Sequence, residues 1–289
     1  LFHTGADLLW DWRIGPGRSS EREHLLQMCD VLPEKAMLLA DAGFTGYPLF
    51  DELTRRRQDF IIRVGRNVTL LKELGAYERQ GSDTVYLWPK NRQKGKKLGE
   101  PIVLRLIKIQ EPSQDTGKPK EPIYLVTNVL DARRLSRNLA GRFYRMRWGI
   151  ELCYRGLKQT LGHRKMHSTS PTGAYLELNW ALMGMWFLGL MTTKRLIASS
   201  QSPSRWSVSQ ARQVVQKAAR QGRRRCRSSW LVDSLASAVQ DIYTRINPKA
   251  SREYARKKKE KPAGKPKLRT ATKTEVQRVK KFTLPKYAA

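Results

Sequence analysis

Four polar residues in one short stretch have the types and the spacing to act together on a phosphate group. They are a phenol, two cations and a carboxylate at steps of three, four and seven residues: Tyr144, Arg147, Glu151 and Lys158. At 3.6 residues per turn, these steps place the four side chains within an arc of roughly 60° on a helix. A carboxylate can ligate a metal, whereas cations and a hydroxyl can bind phosphate oxygens. The row therefore predicts phosphodiester chemistry on one helix face.

The same stretch has an apolar side, which predicts an amphipathic, half-buried helix. Its members recur at helical spacing opposite the polar row: Met146, Ile150, Cys153, Leu157 and Leu161. A simpler interpretation stays open, in which the polar row is a solvated face with ion pairs Arg147–Glu151 and Glu151–Arg155.

A second carboxylate of interest, Asp41, follows the short apolar run Met37–Ala40, which is typical of a buried parallel strand. Because α/β sheets bind ligands beyond the carboxyl ends of such strands, Asp41 is a candidate metal ligand. An Asp after a strand is also a common turn or capping residue. Glu151 lies 110 residues later, so only the fold can bring the two carboxylates together.

The elements that must position these residues alternate over the first part of the chain, which predicts an α/β layer. They are a strand at residues 8–14, a helix at 21–32 capped by Ser19 or Ser20, strand 37–40, a helix at 49–57 after Pro48, and strand 60–64. Strands then dominate, at residues 68–71, 83–88, 102–109 and 123–127, separated by loops rich in Gly, Pro and Lys.

Helices are predicted for most of the remaining chain. They cover residues 135–161, with Gly162 as the stop, then 171–198, 207–220 and 230–246. Gly149 and Gly156 indicate a close approach of another backbone or of DNA. From Pro248 onward, few large apolar residues occur among many Lys and Arg, which predicts a disordered tail.

The charge of the chain, +31 at pH 7, calls for a polyanionic partner. Fifteen of the 56 Lys and Arg residues lie from Lys249 onward, against three Glu, so the preceding 41 basic and 22 acidic residues still carry +19. Nucleic acid is the leading partner. A membrane surface is a weaker fit, because no basic amphipathic helix stands out.

Cysteine usage and hydropathy argue against several other classes of protein. The three cysteines, Cys29, Cys153 and Cys226, form no CxxC pair, so neither a zinc site nor a disulfide framework is indicated. The apolar stretch at residues 175–191 contains Glu177 and Asn179 and is interpreted as a core helix and not a membrane span. The predicted location is the bacterial cytoplasm, in association with the nucleoid.

Two motifs resemble the insertion-sequence-four (IS-four) family of bacterial DDE transposases. The spacing of Tyr144, Arg147, Glu151 and Lys158 is similar to the family signature, and Met37 to Tyr47 looks like its second-aspartate segment. The resemblance covers roughly residues 1–198. It implies a ribonuclease-H-like core with a β-rich insertion before the glutamate helix.

The resemblance also implies roles for individual residues. Asp41 and Glu151 would be catalytic and ligate magnesium or manganese, while Tyr144, Arg147 and Lys158 would grip double-stranded transposon-end DNA near the scissile phosphate. A homodimer in the synaptic complex and contact with target DNA are further expectations. The family's first catalytic aspartate would lie upstream of Leu1, because Asp7, Asp11 and Asp30 do not occupy the first core strand.

The predicted organisation has five parts. Residues 1–64 begin a ribonuclease-H-like core that is incomplete at its N-terminus, 65–133 form the β-rich insertion, and 134–198 complete the core with the signature helix. Residues 199–247 form a helical C-terminal region, and 248–289 the disordered basic tail. The leading hypothesis is metal-dependent DNA cleavage and strand transfer, incomplete in this chain. The alternatives are a non-catalytic DNA-binding remnant of a transposase, and a basic structural or RNA-associated protein.

Overall fold

The computed structural model describes residues 1–77, 81–89, 99–110, 121–163, 165–221, 228–239 and 263–280. Strands and helices are mixed along these residues, so the predicted α/β class is confirmed. The chain divides into two compact units. Residues 1–17 and 146–256 form the first, here called the helical unit, and residues 18–145 and 257–289 form the second, the sheet unit.

The described residues contain nine strands. They are β1 (Phe2–His3), β2 (Leu8–Leu9), β3 (Met37–Ala40), β4 (Asp59–Val64), β5 (Thr69–Lys72), β6 (Thr84–Leu87), β7 (Ile102–Ile109), β8 (Ile123–Thr127) and β9 (Lys267–Thr270). The first two pair with each other, and the other seven form one sheet in the order β3-β4-β8-β7-β6-β5-β9.

Eight α-helices lie among the same residues. They are α1 (Glu21–Gln27), α2 (Tyr47–Arg55), α3 (Arg137–Met146), α4 (Trp148–Arg155), α5 (Pro171–Ala198), α6 (Val208–Gln221), α7 (Ser228–Ser234) and α8 (Lys273–Val279). Short 3₁₀ turns follow α1 and β3, and a π-helical turn, Gly156–Thr160, follows α4. None of these helices is both long and apolar enough to cross a bilayer.

The seven-stranded sheet is antiparallel through β4, β8, β7, β6 and β5, with a parallel strand at each edge. At one edge β3 runs parallel to β4, and at the other β9 runs parallel to β5. In β4, Phe60, Ile61, Ile62 and Val64 are fully buried. An almost continuous apolar run is typical of a strand covered on both faces, which fits the interior position of β4 between β3 and β8.

Local sequence signals account for the helices that cover this sheet. Ser20 caps α1 by accepting a hydrogen bond from the Glu23 amide, as predicted, and Pro48 lies in the first turn of α2. The buried side of α2 brings Phe50 against Phe60 of β4, with ring centroids 4.9 Å apart. The guanidinium of Arg105 in β7 donates to the carbonyls of Leu130 and Leu135, which ties the loop before α3 to the sheet.

The strands predicted as an insertion are continuous with the core strands in the sheet. Strand β8, which falls in the predicted insertion, is hydrogen-bonded on one side to β4 and on the other to β7. The described strands of residues 65–133 therefore extend the same sheet as β3 and β4, and Ile107 and Leu125 pack in one core cluster with Ile61 of β4.

The prediction of disorder from Pro248 onward is wrong for residues 263–280. Strand β9 pairs with β5 in register, Thr69 opposite Lys267 and Lys72 opposite Thr270, and α8 places Val279, 2% exposed, in a core cluster with Leu71 and Tyr86. The amino-acid composition did not predict this structure, because the segment is stabilised by hydrogen bonds to a strand far along the chain and by the burial of one valine. Residues 240–262 and 281–289 lie outside the described residues, and so does the end of the predicted helix at 230–246, from residue 240 onward.

The helical unit is organised around α5. Its core brings together Leu182, Met185 and Leu196 of α5 with Trp206 and Leu235, and Leu8, Phe2 and Trp12 pack against them. Two indole N–H groups fix the N-terminal segment: Trp12 Nε1 donates to Asn179 Oδ1 at 3.0 Å and Trp206 Nε1 to the Asp7 carbonyl at 3.0 Å. The strand predicted at residues 8–14 covers only Leu8–Leu9 in the structure, because side chains after Leu9 pack in this core instead.

The predicted single helix at residues 135–161 is divided into α3, α4 and the π-helical turn. Arg147 separates α3 from α4, although its own backbone stays helical (φ −52°, ψ −27°). The boundary between the two units also falls here. The Leu161 amide donates to the Gly156 carbonyl, which closes the π turn, and Gly162 (φ +81°) ends the segment as predicted.

Candidate functional site

The face of α4 and of the π turn carries three of the four signature residues. Glu151 lies in the first turn of α4, and its Oε1 is 3.5 Å from Nη1 of Arg147, four residues earlier. The Glu151 side chain is 45% exposed and that of Arg147 is 20% exposed. This ion pair is one of the two proposed by the simpler interpretation, and a partly exposed pair at this spacing contributes only about 0.3–0.5 kcal/mol.

Lys158 lies one turn beyond α4, in the π-helical segment, and is exposed. Its ammonium is 5.7 Å from the ring centroid of Tyr154, an arrangement in which the ring attracts the cation. Tyr154 is itself half exposed. The helical unit therefore presents a carboxylate, the Lys158 ammonium and an aromatic ring to solvent along one short segment, with Arg147 only partly exposed beside Glu151.

Tyr144 does not share this exposed face, which corrects the prediction that all four signature side chains point outward. It is 9% exposed and packs in the core of the sheet unit with Ile61, Leu125 and Ala140. Ala140 and Tyr144 are four residues apart, so both lie on the buried side of α3. Met146, predicted on the apolar side, is 42% exposed, whereas Leu157 is buried as expected.

The glycines of the signature segment allow close approach, but by protein side chains. A Cβ on Gly149 would stand 2.6 Å from the Phe2 ring, and one on Gly156 would stand 3.3 Å from Val208. Both neighbours belong to the helical unit, so the two glycines let β1 and α6 pack against α4. The close neighbours of both glycines are thus side chains, and not the backbone or the DNA that the sequence suggested.

Asp41 directly follows β3 in the sheet unit, as predicted. Its Oδ1 accepts a hydrogen bond from the Gly43 amide at 2.8 Å and thereby caps a 3₁₀ turn, Ala42–Phe44. The next turn is fixed to β4, because the Thr45 hydroxyl donates to the Arg63 carbonyl at 3.1 Å. The capping role raised from the sequence is therefore present. A carboxylate has further acceptor capacity beyond one such bond.

Asp41 and Glu151 do not by themselves make a metal site in either unit. Asp41 belongs to the sheet unit and Glu151 to the helical unit. Over the described ranges, no group of three or more His, Cys, Asp or Glu side chains is placed to hold a metal ion. Each carboxylate instead has a protein partner, the Gly43 amide for one and Arg147 for the other.

A cavity beside α4 was not foreseen from the sequence. It has a volume of about 340 Å³ and lies entirely within the helical unit, where Cys153 and Gly156 face Phe2, Asp7 and Trp206. Burial raises the pKa of the Asp7 carboxyl above its ordinary value, and raises the pKa of the Cys153 thiol to about 11. In both groups burial disfavours the charged form.

The loop after the π turn is held by Glu177 of α5. Both Oε atoms of Glu177 accept the His167 amide, at 3.0 and 3.1 Å, and Oε2 also accepts the Ser168 amide at 2.9 Å. These backbone bonds lower the pKa of the Glu177 carboxyl. The sequence signal for this contact is Glu177 itself, a single acid near the start of an apolar helix. Its hydrogen bonds fix the loop that follows the segment of Lys158.

Comparison with known proteins gives these residues a family context. A family of sequences described as the transposase DDE domain matches residues 1–187. Transposase InsG for insertion sequence element IS4 of Escherichia coli (strain K12) is 28% identical over 178 residues, which is 60% of this chain and 38% of that relative. The match therefore spans well under half the length of the relative.

The matched residues include Asp41 and the whole signature segment, and they stop within α5. The resemblance drawn from the spacing of four residues is thereby confirmed. Since the match covers more than half of the chain, this protein belongs to the transposase DDE domain family and is an IS4-like member of it.

Proposed function

We propose that this chain is a DNA-processing polypeptide of an IS4-like transposase, which engages transposon-end DNA through the exposed face of α4 and its π turn. The observation that carries the proposal is the state of Glu151. It is a half-exposed carboxylate in a weak pair with Arg147, on the same segment as Lys158. Arg147 can readily leave such a pair to bind a phosphate, because a hydrogen bond to a charged group contributes about 1.5–3 kcal/mol.

Charge supports duplex DNA as the substrate. The chain carries +31, and the residues before Lys249 alone carry +19. A protein that neutralises phosphates releases condensed counterions, so its affinity for DNA falls steeply with salt. The family to which the chain belongs acts on DNA, which favours DNA over the RNA-associated alternative.

The proposal assigns Asp41 and Glu151 to a common catalytic centre in a ribonuclease-H-like core. DDE transposases typically use divalent metal ions, and hard carboxylate oxygens are the ligands that magnesium and manganese prefer. Since the two carboxylates belong to different units, the proposal requires the complete site to be assembled from both. Arg147 and Lys158 would hold the phosphodiester, and the Tyr144 ring, buried in the sheet unit, would hold α3 in place there.

The test of DNA engagement is a salt titration. We expect the 289-residue chain to bind a fluorescent duplex at low salt, with an observed affinity that falls linearly on a log–log plot with a slope of several units. Glu151→Gln keeps the size of the side chain and removes its charge, so this variant should bind DNA as tightly as the parent or slightly more tightly. Absence of duplex binding at low salt, or preference for single-stranded RNA of equal length, would refute the proposal.

DNA binding without cleavage is a second candidate function. It is favoured by the partners of the two carboxylates, since Asp41 caps a turn and Glu151 pairs with Arg147. This candidate predicts that the chain retards supercoiled plasmid in magnesium or manganese but does not nick it. Nicking that Glu151→Gln abolishes, with DNA binding retained, would reject it in favour of catalysis by this chain.

A further inference from the structure

Helix α5 presents two apolar faces, of which its own unit covers one. Leu182, Met185 and Leu196 are buried in the core of the helical unit. On the opposite side, six large apolar side chains are 39–67% exposed: Leu176, Trp180, Met183, Phe187, Leu190 and Ile197. A helix that is apolar on all sides is normally buried on all sides. The second face therefore calls for a partner.

The spacing of this exposed face identifies the kind of partner. Together with Lys194, the six residues, here called the α5 seam, follow one another at alternating steps of four and three over the length of the helix. That 3.5-residue repeat is the mark of a helix that packs against another helix, whereas a helix lying on a sheet has a broader apolar stripe. A second copy of the same helix has the same repeat, so the seam is complementary to itself.

We propose that the α5 seam is a dimer interface, in which α5 of one chain packs against α5 of a second copy. Taking about 200 Å² for a large apolar residue, the exposed fractions leave roughly 600 Å² of seam on each copy. Two copies would bury on the order of 1,200 Å², which is the lower end of the range for specific protein interfaces. The inference does not depend on the proposed DNA chemistry.

Lys194 indicates the direction of the second helix. It is exposed, and it is the one charged residue among the seven seam positions. In a parallel pair, two Lys194 ammonium groups would face each other. In an antiparallel pair centred on Phe187, Lys194 of one copy comes near Trp180 of the other, because both lie seven residues from the centre. A lysine over an indole ring is attractive, so we infer the antiparallel arrangement.

Sedimentation equilibrium of the nuclease-treated chain in high salt tests the proposal, because high salt removes bridging DNA and strengthens apolar contacts. We expect a dimer at micromolar concentration. Phe187→Asp buries two carboxylates at the centre of a two-fold interface, so it should raise the dimer dissociation constant by about 100-fold or more. Tyr175→Asp is the matched control, since Tyr175 lies outside the seam, is 52% exposed and should leave the dimer intact.

Circular dichroism should show unchanged helix content in both variants, which separates loss of the interface from loss of the fold. A monomeric parent chain would overturn the proposal and assign the cover of the seam to residues of the same chain. A dimer that survives Phe187→Asp would also overturn it, by placing the interface elsewhere.

The orientation has its own test. In the antiparallel arrangement, two residues at position 194 stand about 21 Å apart along the helix axes. Oxidised Lys194→Cys should therefore form no more intermolecular disulfide than the parent chain, whose own cysteines set the background. Efficient cross-linking of this variant would show a parallel pair and reject the antiparallel inference.

Discussion

Weak contacts hold the polar side chains of α4, and this matters for what they can do. The partly exposed Arg147–Glu151 pair contributes about 0.3–0.5 kcal/mol, and the approach of Lys158 to Tyr154 about 0.5–1 kcal/mol. These energies are smaller than the gain from a charged hydrogen bond to phosphate, about 1.5–3 kcal/mol. The same side chains can therefore make only weak contacts in the free protein and bind phosphate groups in a complex with DNA.

Lys158 offers a clean test at this scale. Lys158→Ala removes one exposed cation from the proposed DNA face, so we expect weaker duplex binding and a salt slope reduced by about one unit. Lys158→Arg should keep the slope, because it keeps the charge. Lys273→Ala, which removes an exposed cation from the sheet unit instead, is the comparison. An unchanged slope in Lys158→Ala would remove Lys158 from the DNA interface.

Glu275 in α8 makes stability depend on acid. Arg269 donates two hydrogen bonds to it, at 2.7 and 2.8 Å, and the Thr272 amide donates a third at 2.9 Å. Arg269, together with the Thr272 bonds, lowers the pKa of Glu275 to about 2 from its ordinary 4.5. Because the folded pKa is the lower one, the stabilisation is present above pH 4.5 and is lost as the pH falls towards 2.

The expected size of this effect, after allowance for solvent screening of a partly exposed pair, is about 1–2 kcal/mol. Urea unfolding at about pH 6 and about pH 3, compared between the parent chain and Glu275→Gln, measures it. The stability difference between the two proteins should be clear near neutrality and shrink in acid. An equal difference at both pH values would show that the pair does not stabilise the fold.

At the scale of elements, the C-terminal strand and helix are the least expected part of the structure. Lys267–Thr270 has one large apolar residue, and α8 buries only Val279. The segment has little apolar surface to bury, so it is stabilised mainly by parallel hydrogen bonding of β9 to β5 and by a capping box at Thr272 and Glu275. The segment therefore belongs to the sheet unit, and its removal would uncover β5.

Val279→Ala tests whether this segment is part of the cooperative fold. Val279 is 2% exposed in a cluster with Leu71, Leu74 and Tyr86, so the loss of two methyl groups should reduce the free energy of unfolding by about 1–2.5 kcal/mol. Urea denaturation measures the change, and Gln277→Ala, on the exposed side of α8, should stay within about 0.5 kcal/mol of the parent. A Val279→Ala protein as stable as the parent would mean that the segment docks without contributing to the core.

At the scale of the whole molecule, the proposed catalytic centre depends on two units of the chain. Asp41 follows β3 in one unit and Glu151 lies on α4 in the other. If both serve one pair of metal ions about 4 Å apart, their carboxylates must come within about 10 Å of each other. Spin labels on exposed neighbours, Gly43→Cys and Leu152→Cys, would measure this distance in solution by pulsed EPR, with and without duplex DNA.

We expect the distribution of distances between these two labels to have a short mean, and we expect duplex DNA to make the distribution narrower. The matched pair Gln277→Cys and Leu152→Cys replaces the label near Asp41 with one on α8 of the same sheet unit and supplies the background. A broad distribution with a long mean distance between positions 43 and 152 in the DNA complex would show that the two carboxylates do not share a site. That result would favour the non-catalytic alternative.

The sequence by itself determined several elements whose signal is local. Strands β7 and β8 and helix α5 have the predicted bounds, because run length, periodicity and flanking Pro or Gly act within a few residues. The spacing of Arg147, Glu151 and Lys158 likewise predicted their common segment and the family. Only the tertiary structure decided which way Tyr144 faces, that β8 lies between β4 and β7, and that Lys267–Thr270 is a strand. These features depend on partners far along the chain, such as β5 for β9, and no local pattern encodes contacts made across that separation.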